Sequence, residues 1–310
     1  MPKQQISALL IAGPTAGGKS AVAMALADKI GGTIINADSM QVYRELRLLT
    51  ARPSAEDEAA IPHRLYGFIP VVQAYSVGQW LEGVAREIEA VRCEQRIPII
   101  TGGTGLYFKA LLEGLAPVPD IPDFVRHRWR AEAKRLGASD LHGILVARDP
   151  EMADRLRPED TQRIVRALEV IEATGRSLSE WQDMPAKPVL DAGGAGKIVI
   201  APEREILYGR IDARVDRMMD QGALQEVAAL MDLKLDPGLP AMRALGVEAL
   251  LAHLAGEIEK EQAISGFKTE TRRYAKRQMT WLRGNMMSWQ WIEMKESESF
   301  LPRILSFVDV

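Results

Sequence analysis

The chain of 310 residues holds a single cysteine, Cys93, so no intrachain disulfide or multi-thiolate metal site can form, and a reducing, cytoplasmic setting is expected. Aromatic residues are sparse, at 6%. No apolar run approaches the roughly 20 residues that cross a bilayer, which excludes a hydrophobic membrane span. The short apolar stretch that follows Met1-Pro-Lys-Gln-Gln5 runs straight into a glycine loop and reads as a buried strand rather than a secretion signal. Charge of one sign is also missing: 39 Lys and Arg face 42 Asp and Glu, a formal net of −3. Taken over the whole chain, that balance argues against a nucleic-acid partner. What is present is a globular composition, 47% hydrophobic and 26% charged, and a length that suits about two structural units.

Apolar stretches at Ser7–Ala12, Thr33–Asn36 and Ile97–Ile100 each end in a polar or glycine-rich turn, with helical patterns over Ala21–Ile30 and Val77–Arg92 between them. Continuous aliphatic runs alternating with helices predict a parallel α/β sheet covered on both faces. Pro117-Val-Pro-Asp-Ile-Pro122 interrupts this pattern, since three prolines so close together suit neither a helix interior nor a central strand. Residues 123–183 read as helical, with one brief strand expected at His142–Ala147. Met184-Pro-Ala-Lys-Pro188 and Gly193-Gly-Ala-Gly196 end that segment, Lys197–Ala201 looks like a further core strand, and Glu205–Gly284 reads as helical except at Asp236-Pro-Gly238. The expected organisation is an α/β core made of residues 1–119 and 195–310, interrupted by a mostly helical insertion at 120–194.

Gly13-Pro14-Thr15-Ala16-Gly17-Gly18-Lys19-Ser20 fits G-x-x-x-x-G-K-S between a strand and a helix. Such a loop turns backbone amides toward phosphate oxygens at a helix N-terminus, with Lys19 as a point charge and the Ser20 hydroxyl as a ligand for Mg²⁺. By motif alone it would be labelled an ATP site. Asp38, just past the second strand, belongs at the carboxyl edge of the sheet, where ligands of such folds lie. There it either takes a proton from a nucleophile or caps a following helix; spacing does not separate the two. Thr101-Gly-Gly-Thr-Gly-Leu-Tyr107 forms another small-residue turn at the same edge, where Thr101 and Thr104 can offer hydroxyls.

Charge is uneven locally. Lys268–Arg283 carries Lys268, Arg272, Arg273, Lys276, Arg277 and Arg283 against Glu270, a net of +5, leaving −8 for the rest. On a helix this gives a cationic face with Tyr274 and Trp281, suited either to a phosphate backbone or to plain solvation. Ten of the twelve cations between Asp120 and Lys187 are arginines, the side chain that best grips phosphate in a bidentate manner.

In order along the chain stand GPTAGGKS (13–20), INADSMQVYR (35–44), GGTGLY (102–107), DTQRIVRALEV (160–170), LPAMRALG (239–246) and YAKRQMTWLR (274–283). The ordered set resembles the tRNA dimethylallyltransferases, also called tRNA isopentenyltransferases, over nearly the whole length. The resemblance implies a P-loop NTPase-like α/β core with a helical insertion contacting the anticodon loop. It also implies transfer of a dimethylallyl group from dimethylallyl diphosphate to N6 of adenosine 37, between adenosines 36 and 38, in tRNAs reading codons that begin with U. On this resemblance residues 13–20 hold the diphosphate with Mg²⁺ at Ser20, Asp38 is the general base, and Thr104 bonds the diphosphate near the target nucleotide. Arg214 neutralises the diphosphate, with Arg210 and Arg217 as alternatives of similar spacing. The tRNA falls to Asp38, Ser39, Met40, Gln41, Thr104, Arg126, Gln162, Arg163, Ile164, Val165, Arg166, Met242, Arg243, Arg273, Lys276 and Arg277. A monomer with no membrane association is expected. The chain departs from the family pattern at Gly17, where Ser is usual, and at Val247-Glu248, where an aromatic-basic stretch is usual. It also departs at Pro62-His63-Arg64, a reduced form of a His-rich stretch.

Overall fold

A computed structural model describes residues 6–294. The strands are β1 (Ala8–Ala12), β2 (Gly32–Asn36), β3 (His63–Arg64), β4 (Ile97–Gly102), β5 (Ala195–Pro202) and β6 (Gln290–Met294), in one parallel sheet of order β3-β2-β4-β1-β5-β6. β1 and β2 are buried along their whole length, as strands covered on both faces must be. Among the described residues the helices are α1 (Lys19–Ile30), α2 (Ala55–Ala60), α3 (Val77–Cys93) and α4 (Gly105–Glu113), then α5 (Asp123–Arg135), α6 (Ala138–Arg148), α7 (Pro150–Arg155), α8 (Thr161–Thr174) and α9 (Leu178–Gln182). After β5 come α10 (Arg204–Asp220), α11 (Ala223–Asp232), α12 (Val247–Leu254) and α13 (Lys260–Asn285). Local sequence explains their ends: Ser54 and Ser76 cap α2 and α3 with capping boxes, and Gly31 and Gly175 close α1 and α8 in left-handed backbone.

The chain divides into two compact units, residues 6–112 with 189–294, and residues 113–188. Both boundaries lie earlier than the expected 120 and 194. Val118 and Ile121 from the proline-rich run pack into the core of the helical unit, whereas the amides of Val189 and Leu190 donate to Leu111 O at 3.0 and 3.1 Å and return the chain to the α/β unit. His142–Ala147, expected as a strand, lies within α6. Leu141 and Leu145 point four residues apart into the helical core while Val146 is exposed, a period of 3.6 rather than 2. The α/β unit has cores on both faces of its sheet, one under Trp80, Phe108 and Trp289, the other under Leu26, Ile34 and Ile292. This rigid sheet presents the carboxyl ends of β1, β2 and β4 side by side, which is what places the site.

Candidate active site

Beyond β1 the chain runs through Gly13–Gly18 into α1. Ala16 and Gly18 take left-handed φ of 58° and 94°, a conformation that turns successive amides toward one centre. Gly13 is obligatory, because a Cβ there would lie 2.7 Å from Ile200 O. The loop walls a cleft of about 180 Å³ together with Asp38, Gln41, Tyr66, Thr101 and Arg214. A larger open groove of about 650 Å³ lies over Met279, Met287 and Trp291, but it has no phosphate loop and no converging amides.

Two cations face the smaller cleft. Lys19 Nζ donates to Pro14 O at 2.7 Å, and burial pulls its ammonium down to about 8, with Asp38 opposing the shift and Arg214 adding to it. Arg214, from α10, donates from Nη1 to Thr15 Oγ1 at 3.4 Å; burial and then Arg217 lower its affinity for the proton while Asp38 raises it. Of the three arginines with similar spacing, Arg214 lines the cleft; Arg210 and Arg217 do not.

Asp38 caps no helix, since the next one begins at Ala55 under its own Ser54 cap. Instead Oδ1 accepts the Met40 amide at 2.9 Å, and the Asp38 amide donates to Asn36 Oδ1 at 2.8 Å. Asn36 is itself held by Leu65 O and, at its carbonyl, by the Trp80 indole. The carboxylate is thus fixed by a turn, with its Oδ2 toward Gly103. Thr104 does not line the cleft. Its hydroxyl accepts the Ser39 amide at 3.0 Å and donates to Ser39 Oγ at 3.3 Å, so it belongs with the Asp38–Ser39 turn. Gly102 lets that turn come close, because a Cβ would collide with the backbone of Ala37.

Several expected RNA contacts are placed differently. Ile164 is fully enclosed in the helical core, so its side chain reaches no ligand; it shares the buried stripe of α8 with Ala167 and Leu168. Val165 packs against that core too, whereas Gln162 and Arg163 are exposed. Arg166 lies 3.6 Å from the buried Glu169, whose carboxyl is pushed up by burial against the pull of Arg166, Arg130 and Arg126. Met40 and Met242 pack against the core beside Tyr43, and Arg243 is exposed. Gln41 has another task as well, donating to Thr50 O and Ala51 O at 2.8 and 3.0 Å and so holding the far wall of the cleft. On α13 the +5 stretch is partly neutralised: Arg272 pairs with Asp212 at 3.0 Å and Lys268 with Asp216 at 2.8 Å. Arg273, Lys276 and Arg277 stay exposed, and Arg277 lies over the ring of Tyr274.

Two residues of the site were not singled out by sequence. Tyr66 lines the cleft with a phenol pushed far up by burial and by Asp38. Gln278 accepts the Thr15 amide at 2.8 Å and donates to Gly103 O at 2.9 Å. Its signal is a polar residue on the buried stripe Phe267, Thr271, Ala275, Gln278, Leu282 of α13.

Fold and site together define a parallel α/β protein of the P-loop class, with Lys19 and Arg214 facing one cleft beside a fixed carboxylate. Residues 41–285 match the model of the IPP transferase family and residues 6–67 that of isopentenyl transferase. The tRNA dimethylallyltransferase of Parvibaculum lavamentivorans is 52% identical over 302 residues, 97% of this chain and 96% of that protein. That of Nitrobacter hamburgensis is 51% identical, over 96% and 94% of the two chains. Among solved structures, the tRNA isopentenylpyrophosphate transferase of Bacillus halodurans superposes with a TM-score of 0.70 at 31% identity, covering 99% of this chain and 95% of the other. A eukaryotic dimethylallyltransferase captured acting on tRNA gives 0.82 at 26% identity, over 97% and 78%. The chain belongs to the IPP transferase family, that of the tRNA dimethylallyltransferases, and is a prenyl transferase.

Proposed function

We propose that this protein transfers the dimethylallyl group of dimethylallyl diphosphate to N6 of adenosine 37 in the anticodon loop of tRNAs that read codons beginning with U, giving N6-(dimethylallyl)adenosine and diphosphate. The observation that carries the proposal is the convergence of Lys19, Arg214 and Asp38 on one cleft in a member of this family. As the allylic C–O bond breaks, its electron pair leaves with the diphosphate. Lys19, Arg214 and the amides opening α1 meet that growing charge. The N6–carbon bond forms on the opposite face of the carbon, and Asp38 takes the proton that N6 releases. The adenine reaches this carbon by leaving its stack, at a cost of a few kcal/mol. Thr104, bonded to Ser39 beside Asp38, stands on the acceptor side.

Among the described residues no cluster of three acidic, His or Cys side chains suits a metal ion. The exposed Ser20 hydroxyl at the opening of α1 shares the cleft with Asp38, an all-oxygen donor set that fits Mg²⁺ held mostly through the donor's own phosphates. Bound there, Mg²⁺ would neutralise charge on the leaving diphosphate. RNA binding is assigned to Arg273, Lys276, Arg277 and Arg243 on the α/β unit and to Arg126, Gln162, Arg163 and Arg166 on the helical unit. The protein works as a cytoplasmic monomer; among the described residues no helix is long and apolar enough to cross a membrane.

The test is to incubate the protein with dimethylallyl diphosphate and unmodified tRNA, digest to nucleosides and weigh the nucleoside from position 37. A gain of one C5H8 unit is expected. ATP hydrolysis without tRNA modification would point instead to a small-molecule kinase.

A further inference from the structure

We infer that Gln278 is a positioning residue that sets the distance between the donor's phosphate loop and the acceptor-side turn; the inference rests on the function proposed above. Three features of the molecule carry it. First, Gln278 is 6% exposed and spends both ends of its amide on backbone: Oε1 accepts Thr15 N at 2.8 Å and Nε2 donates to Gly103 O at 2.9 Å. Thr15 belongs to the loop between β1 and α1, and Gly103 to the turn between β4 and α4, so one side chain spans two loops. Second, Gly103 is wedged: a Cβ on it would collide with Gln278 Nε2 and would lie 3.5 Å from Asp38 Oδ2. Moving Gln278 therefore moves the turn against which the carboxylate is set. Third, Trp281, one turn further along α13, packs its ring directly on Gly105, where a Cβ would also collide. The buried face of α13 is thus a jig for the turn carrying Thr104.

The bond to Thr15 has a chemical consequence for the phosphate loop. Gly17 N is already given to Pro14 O at 3.1 Å, and Thr15 N is given to Gln278. The amides left to converge on the diphosphate are those of Ala16, Gly18 and the opening of α1. Thr15 is also the residue whose hydroxyl receives Arg214. Gln278 therefore fixes where the loop begins and where the arginine docks, as well as where Asp38 sits against the acceptor turn. Displacement of reacting groups by about 1 Å is enough to cost about 100-fold in rate.

The test uses the full-length protein with two substitutions of nearly the same volume. Gln278→Met removes both hydrogen bonds, while Gln278→Glu keeps an oxygen toward Thr15 N but sets a second oxygen against Gly103 O. Single-turnover prenylation of tRNA should fall about 100-fold in Gln278→Met, with tRNA Kd within about two-fold of the parent because Arg273, Lys276 and Arg277 are untouched. Gln278→Glu should lose rate while keeping its affinity for a thiolodiphosphate analogue of the donor, whereas Gln278→Met should lose that affinity as well. Rates within about three-fold of the parent in both variants would overturn the inference, and so would a rate loss matched by the same loss of folded protein in a thermal melt. If the parent protein itself makes no prenylated tRNA, the proposed function falls. The analogue-binding contrast between the two variants then still decides whether Gln278 positions the phosphate loop.

Discussion

Lys19 holds its charge where burial discourages it, its ammonium drawn down to about 8 with Asp38 as the counterweight. A diphosphate favours the charged form, so binding raises that value and takes up a proton wherever free Lys19 has lost one. Affinity for a thiolodiphosphate analogue should therefore be flat below about pH 8 and fall up to tenfold per unit above it. Calorimetric titration between about pH 7 and 9.5 checks this, and Lys19→Arg should abolish the pH slope because guanidinium stays charged throughout. The second prediction at this scale concerns Asp38, which sits in a turn made by Asn36, Met40 and Trp80 rather than in a helix cap. An Asn in its place keeps an oxygen for the Met40 amide and should leave the fold intact. Asp38→Asn is expected to slow single-turnover transfer by about 10²- to 10⁴-fold; near-normal turnover would remove the carboxylate from the role of base.

Helix α13 has a divided character, with Gln278, Thr271 and Leu282 on its buried stripe and Arg273, Lys276 and Arg277 in solvent. The sequence shows the cations but not which of them are already spent. Arg272 on Asp212 and Lys268 on Asp216 are paired across to α10, so among the cations of this stretch the exposed Arg273, Lys276, Arg277 and Arg283 should release counterions from tRNA. Neutralising Arg273 and Arg277 should flatten the slope of log affinity against log salt by about 0.7–0.9 for each phosphate that is no longer neutralised. Neutralising Arg272 and Lys268 should change it less, and equal effects in filter-binding titrations would refute the division. The same distinction between local and distant information governs what was legible. The phosphate loop and Asp38 stand in short runs whose spacing dictates their placement, and β1, β4 and β5 announce themselves as continuous aliphatic runs. His142–Ala147 misled because four apolar residues in a row suit either period, and only packing against Leu141 and Leu145 decides for a helix. β3 is two residues long and β6 is an edge strand defined by its pairing with β5, so neither has a local signature. Gln278 reaches Thr15 across 263 positions of sequence and Arg214 reaches it across 199, distances that no window along the chain contains.

The net charge of −3 over the whole chain is a poor guide to partners, because it averages over local stretches of different charge, such as the +5 of Lys268–Arg283. The exposed residues of α13 include Arg273, Lys276, Arg277 and Arg283, and the helical unit, nearly neutral in sum, concentrates its cations as arginine. A polyanion meets these local surfaces, not the sum. The division into units gives this a direct test. Residues 113–188 have their own core around Trp129, Leu145 and Leu168, and the chain leaves and re-enters the α/β unit at adjacent points, with Val189 N bonded to Leu111 O at 3.0 Å. A short Gly-Ser linker can therefore join Leu112 to Val189 with little closure entropy. The phosphate loop, Asp38, Arg214 and Gln278 all stay in the remaining unit, so the shortened protein should melt cooperatively and bind the thiolodiphosphate analogue within about five-fold of the parent. It should lose tRNA affinity by about 1–3 kcal/mol, since the arginines of α5 and α8 are gone while those of α13 remain. Retained tRNA affinity would show that the helical unit contributes no binding surface, and loss of analogue binding in a folded product would show that the donor site is not confined to the α/β unit.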